Sequence, residues 1–212
     1  MQDVPSPIDL RNMHDAREWA QAAPRRPGRQ DFLDLFVAKI AETRRPGTRV
    51  LELGSGPGFL AHQVLSVMPN LEYVALDFSA AMHDLASERL GSLATWVSFV
   101  ERSFKDADWA AGLGRFDWVI TNQAVHELRH KRHTAALHSQ VREILAADGS
   151  YLVCDHFCGT GGLTNDQLYM TPEEQAQALR DGGFGDVAML LQRGSLVMHR
   201  ANAASGLLTM EH

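Results

Sequence analysis

A glycine-rich turn between a short apolar run and a helical pattern is the feature that most constrains the fold of this chain. Residues 50–60 read V-L-E-L-G-S-G-P-G-F-L, so Gly54, Gly56 and Gly58 directly follow a pattern typical of a buried strand. Glycine accepts positive φ and has no Cβ, which lets the backbone turn tightly and approach a ligand closely. The turn therefore predicts a strand, a tight turn and a helix, with a ligand site at the end of the strand.

Beyond this turn, short apolar runs alternate with segments of helical periodicity. The expected strands cover residues 50–53, 73–76, 96–100, 116–121, 151–155, 187–191 and 195–199. The expected helices cover residues 8–22, 30–42, 58–67, 79–90, 131–147 and 171–181. This alternation predicts a doubly wound α/β fold with a mostly parallel seven-stranded sheet and an antiparallel hairpin strand at its C-terminal end. Ligands in such sheets bind at the carboxyl ends of the strands.

The length of the chain, 212 residues, suits one domain with a substantial core. We expect a ligand-binding domain over residues 47–200, preceded by an N-terminal helical extension over residues 1–46 that serves as a cap or lid. Residues 201–212 are expected to form a loose tail. The glycines within residues 157–170 make that stretch a second candidate for a mobile lid.

Composition and charge limit the classes of partner. The formal net charge is −6, with a short basic turn at residues 24–29 as the local exception, so no nucleic-acid partner is expected. No apolar run approaches the roughly 18–20 residues of a membrane span, and the N-terminus lacks the features of a signal peptide. Cys154 and Cys158 are too few for a disulfide framework or a zinc site. We therefore expect a cytoplasmic protein with no membrane partner and no bound metal.

An acidic residue narrows the choice of ligand. Asp77 ends the second expected strand, 23 residues after Gly54, where a carboxylate can accept hydrogen bonds from a ribose diol. A dinucleotide fingerprint would need its third glycine at the position of Phe59. A phosphate-binding P-loop would need Lys and Ser or Thr after the glycines, and Phe59 and Leu60 supply neither. An adenosine without a pyrophosphate fits this pattern best.

With these motifs the chain resembles the class I, Rossmann-like S-adenosylmethionine-dependent methyltransferases. Their first motif appears as E-L-G-S-G-P-G from Glu52, and their second as the acid Asp77 within A-L-D-F-S. Their fourth-strand signature is matched by F-D-W-V-I-T-N, which ends at Asn122. A later helix-turn-strand signature is matched by residues 141–153, and the likeness covers roughly residues 47–200.

The resemblance implies S-adenosylmethionine as the cofactor and assigns residues to it. The glycine turn would hold the methionine part and the ribose, Asp77 would bind the ribose hydroxyls, and Phe78 would flank the adenine. Many members carry an acid after the third strand; Ser103 stands at that position here, with Phe104 next to the ring. The implied cofactor-binding residues are Glu52, Gly54, Ser55, Gly56, Gly58, Asp77, Phe78, Ser103, Phe104 and Asn122.

The expected reaction is in-line transfer of a methyl group to a small-molecule O or N acceptor. A general base is needed only if the acceptor must lose a proton, and His126 and His156 are the candidates because histidine titrates near neutral pH. A histidine at the position of His126 can equally pack or orient neighbouring groups. His130 and Asp155 are further candidates near the ends of the same strands, and Tyr169 is a candidate within residues 157–170.

Other interpretations stay open. The chain could bind S-adenosylmethionine or S-adenosylhomocysteine without transferring a methyl group, as a regulator or partner subunit. Methylation of RNA or protein is disfavoured by the acidic charge and by the absence of an Asn/Asp-Pro-Pro-aromatic stretch after the fourth strand. The histidines between residues 126 and 138 lack the carboxylate pattern that would complete a metal site. The sequence names no particular acceptor and fits a monomer or a homodimer.

Overall fold

The apolar run before the glycine turn forms an inner strand of a seven-stranded sheet in the computed structural model, which describes residues 2–23 and 28–203. The strands are β1 (Arg49–Leu53), β2 (Glu72–Asp77), β3 (Val97–Glu101), β4 (Phe116–Asn122), β5 (Leu145–His156), β6 (Asp186–Arg193) and β7 (Leu196–Asn202). The helices are α1 (Met13–Ala22), α2 (Arg29–Glu42), α3 (Phe59–Val67), α4 (Ala80–Leu90), α5 (Thr134–Ile144) and α6 (Pro172–Asp181).

The order of the strands places a crevice beside the glycine turn. The sheet runs β3-β2-β1-β4-β5-β7-β6, with β1 to β5 parallel and β7 antiparallel to both of its neighbours. The chain leaves β1 towards β2 on one side and later returns to β4 on the other, so β1 and β4 meet at a topological switch point. The predicted α/β, doubly wound, mostly parallel sheet with an antiparallel C-terminal strand is confirmed.

The sheet is buried on both faces, which explains why β1 reads as a nearly continuous apolar run. Val50 packs on one face with residues of α2 and α3, including Phe32 and Phe36, which are completely buried. Leu51 and Leu53 point to the opposite face, where α5 and α6 complete the second half of the core. The two faces together position the carboxyl ends of the central strands rigidly.

The N-terminal residues contain the two predicted helices, although the first is shorter than expected. α1 begins at Met13 rather than near residue 8, because the Asn12 side chain accepts hydrogen bonds from the backbone N–H groups of His14 and Asp15 and so caps the helix. α1 packs on α4 through a small apolar cluster, whereas α2 packs within the main core. The residues before Met13 therefore follow a non-helical path across the molecule.

The helix predicted over residues 131–147 is too long at both ends. Residues Lys131–His133 form a 3₁₀ turn, and α5 ends at Ile144. Leu145 is extended and pairs with Phe116 of β4, so β5 begins at this residue. Both side chains are almost fully buried, and their burial against the sheet outweighs the local helical pattern.

Two predictions fall wholly or partly on residues that the structure leaves undescribed. Residues 24–27 of the basic turn and residues 204–212 of the predicted tail lie outside the described ranges. Residues 201 and 202, which were assigned to that tail, instead end β7. Among the helices within residues 2–23 and 28–203, none has the length and apolar character needed to cross a membrane.

Candidate functional site

The glycine turn has the strained backbone that its sequence predicts. Gly54, Gly56 and Gly58 have φ angles of 66°, 54° and 75°, in the left-handed region that favours glycine. A Cβ at Gly54 would collide with the side chain of Ala124, whereas a Cβ at Gly56 would meet no atom within 4 Å. Packing thus requires glycine at position 54, and Gly56 borders open space.

Backbone hydrogen bonds fasten this turn to the end of β2. The N–H groups of Gly54 and Ser55 donate to the carbonyl oxygen of Leu76 at 2.8 and 3.0 Å. The N–H of Gly56 donates to Asp77 Oδ2 at 2.8 Å, and the N–H of Ser79 donates to Asp77 Oδ1 at 3.0 Å. One carboxylate therefore fixes both the glycine turn and the start of α4.

Asp77 is buried at the floor of the crevice, with an exposed fraction of 4%. Burial raises the pKa of its carboxyl to about 6, although the backbone N–H groups of Gly56 and Ser79 oppose this rise by favouring the carboxylate. Each oxygen has one of these bonds and retains capacity to accept another. Asp77 is thus placed and charged at neutral pH to accept hydrogen bonds from a diol.

A cavity of about 470 Å³ opens over the carboxyl ends of the central strands. It brings together most of the residues singled out from the sequence. Its lining includes Glu52, Gly54, Ser55, Gly56, Asp77, Phe78, Phe104, Asn122, His126 and His156. The two groups of predicted residues, those for a cofactor and those for catalysis, therefore share one continuous cavity.

Gly58 and Ser103, predicted as cofactor-binding residues, lie outside the lining of this cavity. Gly58 is the N-cap of α3, and a Cβ there would lie 3.0 Å from the Cβ of Ala86 on α4, so its role is to let the two helices pack. Ser103 lines a neighbouring cavity of about 550 Å³ together with Phe78 and Phe104. Its hydroxyl accepts a hydrogen bond from the N–H of Lys105.

Glu52 is a buried acid behind the glycine turn, with an exposed fraction of 2%. The Tyr73 hydroxyl donates a hydrogen bond of 2.7 Å to Glu52 Oε2. Burial raises the pKa of the Glu52 carboxyl to about 8, while the hydrogen bond from Tyr73 and the charge of Arg29 oppose the rise. Glu52 therefore carries a proton at neutral pH.

We expect the free energy of unfolding to depend on Glu52 in a defined pH window. Between pH 4.5, the ordinary value, and about 8, the native state holds a proton that the unfolded state has released. Stability should therefore fall as pH rises through this window, by up to about 1.4 kcal/mol per pH unit from this group. Glu52→Gln should flatten that fall, as urea unfolding at pH 5 to 8 would measure. Glu143→Gln, on the exposed face of α5, is the control, and equal pH slopes for wild type and Glu52→Gln would contradict the assignment.

His126 lies at the other end of the cavity, in a 3₁₀ turn (Val125–Leu128) that follows β4. Its Nδ1 donates to Asp155 Oδ1 at 2.6 Å, and its backbone N–H donates to Asp155 Oδ2 at 2.8 Å. Its Nε2 lies 3.4 Å from Glu127 Oε1. Asp155, at the end of β5, thus holds both the ring and the backbone of this histidine.

The two carboxylates stabilise a positive charge on His126. Burial disfavours the charged ring, but Asp155 and Glu127 outweigh it and raise the pKa of His126 to about 10. In return, the imidazolium holds the pKa of Asp155 below its ordinary value against the effect of burial. The resting form of His126 is therefore the imidazolium.

His156 and Tyr169 complete an aromatic wall beside His126. The ring centroid of His126 lies 5.6 Å from that of His156 and 5.6 Å from that of Tyr169. The ring centroids of His156 and Tyr169 are 5.9 Å apart. His156 Nδ1 lies 3.0 Å from Ser195 Oγ, which joins this wall to the turn between β6 and β7. Tyr169 comes from the stretch 157–170 that was predicted as a lid, so that stretch does contribute to the cavity.

Some cavity residues were not identified from the sequence. Glu127 follows His126 directly, and a pair of adjacent titratable residues after β4 was an available signal. Arg29, at the start of α2, lines the cavity and stacks its guanidinium 4.7 Å from the ring centre of Phe59. Pro7, Ile8 and Leu10 also line it, and nothing in their sequence marks them as site residues.

The histidines considered as metal ligands do not converge. His130 Nδ1 accepts a hydrogen bond from the N–H of Arg132, and His133 Nε2 lies 3.0 Å from Asp3. His138 is buried against the ring of Tyr151. Within residues 2–23 and 28–203, no group of three or more His, Cys, Asp or Glu side chains could hold a metal ion.

The polar groups of the cavity fit the expected cofactor. Ser55 Oγ and Asn122 Oδ1 are buried in the lining and have no hydrogen-bond partner among the described residues. Buried polar atoms are normally paired, so these two are available to a ligand. With the carboxylate of Asp77 and the acid Glu52, they offer the acceptors that a ribose and an amino group require.

Comparisons with known proteins point the same way. Residues 50–149 match a family model described as a methyltransferase domain. Malonyl-[acyl-carrier protein] O-methyltransferase of Legionella pneumophila is 33% identical over 99 residues, which is 47% of this chain and 32% of that protein. Release factor glutamine methyltransferase of Deinococcus radiodurans is 30% identical over 124 residues, which is 54% of this chain and 42% of that protein. The matches thus span well under half the length of these relatives.

A solved structure shares the fold. The glycopeptide N-methyltransferase MtfA, complexed with S-adenosylmethionine, superposes with a TM-score of 0.62 at 19% identity, covering 79% of this chain and 85% of that one. This TM-score indicates a shared overall fold. The glycine turn, Asp77, the sheet and the matched domain model over residues 50–149 are together similar to those of the class I, Rossmann-like S-adenosylmethionine-dependent methyltransferases.

Proposed function

We propose that this protein transfers the methyl group of S-adenosylmethionine to a small-molecule O or N acceptor. The observation that carries the proposal is the single cavity that runs from Gly56 and Asp77 to His126, His156 and Tyr169. A donor held at the first end would have its reactive group directed towards the second. When bound, S-adenosylmethionine supplies a methyl group that its sulfonium has already activated.

At the donor end, the chain provides acceptors of suitable placement. Asp77 would accept hydrogen bonds from the ribose hydroxyls through the remaining capacity of its two oxygens. Glu52 would face the amino group of the methionine part, and a nearby cation would favour its carboxylate form. Ser55 and Asn122 would pair their free polar atoms with the same part of the ligand.

At the acceptor end, we propose that His126 takes the proton that a hydroxyl or amine loses. Asp155 fixes one ring nitrogen, and the other, Nε2, lies 3.4 Å from Oε1 of Glu127, which also lines the cavity. The raised pKa of His126 makes it a strong base that must first lose its own proton. His156 and Tyr169 would position the acceptor against it.

The enclosure of the cavity supports a small acceptor. Trp19 from α1 and Leu168 with Tyr169 from the 157–170 stretch line the cavity. A volume of about 470 Å³ must accommodate the donor as well as the acceptor. The carrier-protein and protein substrates named for the two curated relatives belong to those proteins.

The competing function is a binding protein that does not transfer the methyl group. Its discriminating feature would be a blocked acceptor end, whereas here the cavity extends to His126 and His156. Calorimetry with S-adenosylhomocysteine tests the donor site, and release of S-adenosylhomocysteine from the donor in the presence of small hydroxyl and amine compounds tests transfer. Absence of binding would refute both functions; binding without turnover across the whole panel would favour the competing one.

A further inference from the structure

Residues 3–10 form a non-helical segment, here named the N-terminal strap, that crosses the mouth of the cavity. Three of its side chains, Pro7, Ile8 and Leu10, line the same cavity as Asp77 and His126. The strap therefore lies against both the proposed donor end and the proposed acceptor end.

Arg129 holds the strap through three hydrogen bonds. The N–H of Val4 donates to the carbonyl oxygen of Arg129 at 2.8 Å. The guanidinium returns two bonds, from Nε to the carbonyl of Val4 at 2.9 Å and from Nη2 to the carbonyl of Pro5 at 2.7 Å. Arg129 is only 7% exposed, so water competes weakly for these bonds.

The backbone of Arg129 lies in an unusual conformation. Its φ is 66°, in the left-handed region that a long side chain rarely occupies. It directly follows the 3₁₀ turn that contains His126, and this conformation directs the chain so that the guanidinium meets the strap. Strain of this kind persists where surrounding contacts fix the residue.

The same guanidinium contacts the carboxylate beside His126. Arg129 Nη1 lies 3.4 Å from Glu127 Oε2, and Glu127 Oε1 lies 3.4 Å from His126 Nε2. Glu127 thus stands between the anchor of the strap and the imidazole. Arg129 and His126 share the negative charge of this one carboxylate.

The strap has further ties on both sides of the cavity. Ser79 Oγ donates to the carbonyl oxygen of Leu10 at 2.5 Å, and Ser79 is the residue whose N–H binds Asp77. At the other end, Arg132 Nη2 donates to Asp3 Oδ1 at 2.6 Å. The Asp3 contact joins the strap to the protein without involving Glu127.

We propose that Arg129 is a positioning residue that couples closure of the strap over the donor to the charge environment of His126, through Glu127. This inference rests on the proposed function, because it assigns the cavity to a methyl donor and an acceptor. With the strap closed, Arg129 attracts Glu127 and lessens the support that this carboxylate gives to the imidazolium. The other groups that face His126 are Asp155, His156 and Tyr169, and Lys105 also acts on Glu127.

The variant Arg129→Asn tests the coupling, since asparagine tolerates a left-handed backbone but cannot reach the strap. S-adenosylhomocysteine should bind about tenfold more weakly or worse by calorimetry. The imidazole of His126, followed by NMR in the ligand-free protein, should titrate at higher pH than in wild type, because Glu127 is left to His126 alone. Hydrogen exchange at the N–H of Val4 should accelerate.

The matched control is Arg132→Asn, which removes the Arg132 bond to Asp3, keeps the contact between Asp3 and His133, and leaves Glu127 untouched. It should change the affinity by less than about threefold and leave the titration of His126 in place. If Arg129→Asn binds and titrates as wild type does, the coupling is refuted. If wild type binds no S-adenosylhomocysteine, the proposed function fails, while the titration and exchange of the ligand-free protein still decide the inference. If Arg129→Asn fails to fold, deletion of residues 2–6 is the second test, because it removes the bonds to Val4 and Pro5. The deletion should accelerate hydrogen exchange at the N–H of Ser79 and weaken the binding of S-adenosylhomocysteine. Unchanged binding would refute the proposal.

Discussion

Replacing His126 with alanine is expected to reduce methyl transfer by about a hundredfold or more while leaving the affinity for S-adenosylhomocysteine within about threefold of wild type. A positioned acid–base group contributes typically 10²–10⁴-fold to a reaction rate. The donor end of the cavity, at Gly56 and Asp77, does not depend on this ring. The measurement is the single-turnover rate on an acceptor from the panel, together with calorimetry on the same preparation.

The pH dependence of kcat/KM, measured in wild type and in Asp155→Asn, tests the role of His126 more sharply. Because the resting ring is charged, with its pKa raised to about 10, kcat/KM of wild type should increase with pH from 6 to 9 as more of the base form becomes available. Asp155→Asn should shift this rise to lower pH, since it removes the stronger support of the imidazolium. A rate that falls towards alkaline pH would show that the charged ring is the active form and refute the proposed base.

The control for these measurements is His62→Ala, on the exposed face of α3 and remote from the cavity lining. It should leave rate, affinity and pH profile unchanged. Equal losses in His62→Ala and His126→Ala would indicate general damage rather than lost chemistry. A His126→Ala enzyme with full activity would leave His156 as the remaining histidine candidate.

Replacing Asp77 with alanine is the change expected to affect donor binding most, by about tenfold or more. Hydrogen bonds to a charged acceptor are worth about 1.5–3 kcal/mol each, and a ribose diol would lose its acceptors on this side. Asp77→Ala also releases the N–H groups of Gly56 and Ser79, so Tm should fall as well. Asp77→Asn retains an oxygen acceptor and separates the two effects, because it should preserve more of the fold than of the binding.

The pKa of Asp77 also predicts how the affinity for the donor depends on pH. Since the pKa of Asp77 is raised to about 6, its carboxylate form declines as the pH falls through that value. Affinity for S-adenosylhomocysteine should therefore weaken below about pH 6 in wild type and vary less in Asp77→Asn. Asp84→Ala, an exposed acid on α4, is the control. Wild-type affinity in Asp77→Ala would exclude this residue from the donor site.

The parts of the site that the sequence predicted are those encoded by short motifs at strand ends. Gly54, Gly56 and Asp77 follow directly from the β1–turn–α3 pattern and the next strand. His126 and His156 follow the ends of β4 and β5 in the same way. In a parallel sheet the carboxyl ends of adjacent strands meet, so local patterns are sufficient to place these residues near one another.

The parts that the sequence did not predict depend on contacts between distant segments. Tyr73 meets Glu52 only because β1 and β2 pair side by side, which no local pattern specifies. The N-terminal strap is held largely through its backbone carbonyls, and such bonds need no particular side chain in the strap. Ser103, in the loop after β3, lies in the neighbouring cavity. The acid that many members of the family carry at this position is already absent from the sequence.

The position of β7 inside the sheet has a consequence for how the protein is made. β7 comes last among the strands of residues 2–23 and 28–203, yet it pairs with β5 on one side and β6 on the other, and its Val197, Met198 and Ala201 are completely buried. While the chain emerges from the ribosome, β5 must keep an unpaired edge until residues 196–202 have been synthesised. The β5 edge of the nascent protein is therefore open to misassociation and to chaperones until β7 is available, and His156 meets Ser195 only when the β6–β7 turn has formed.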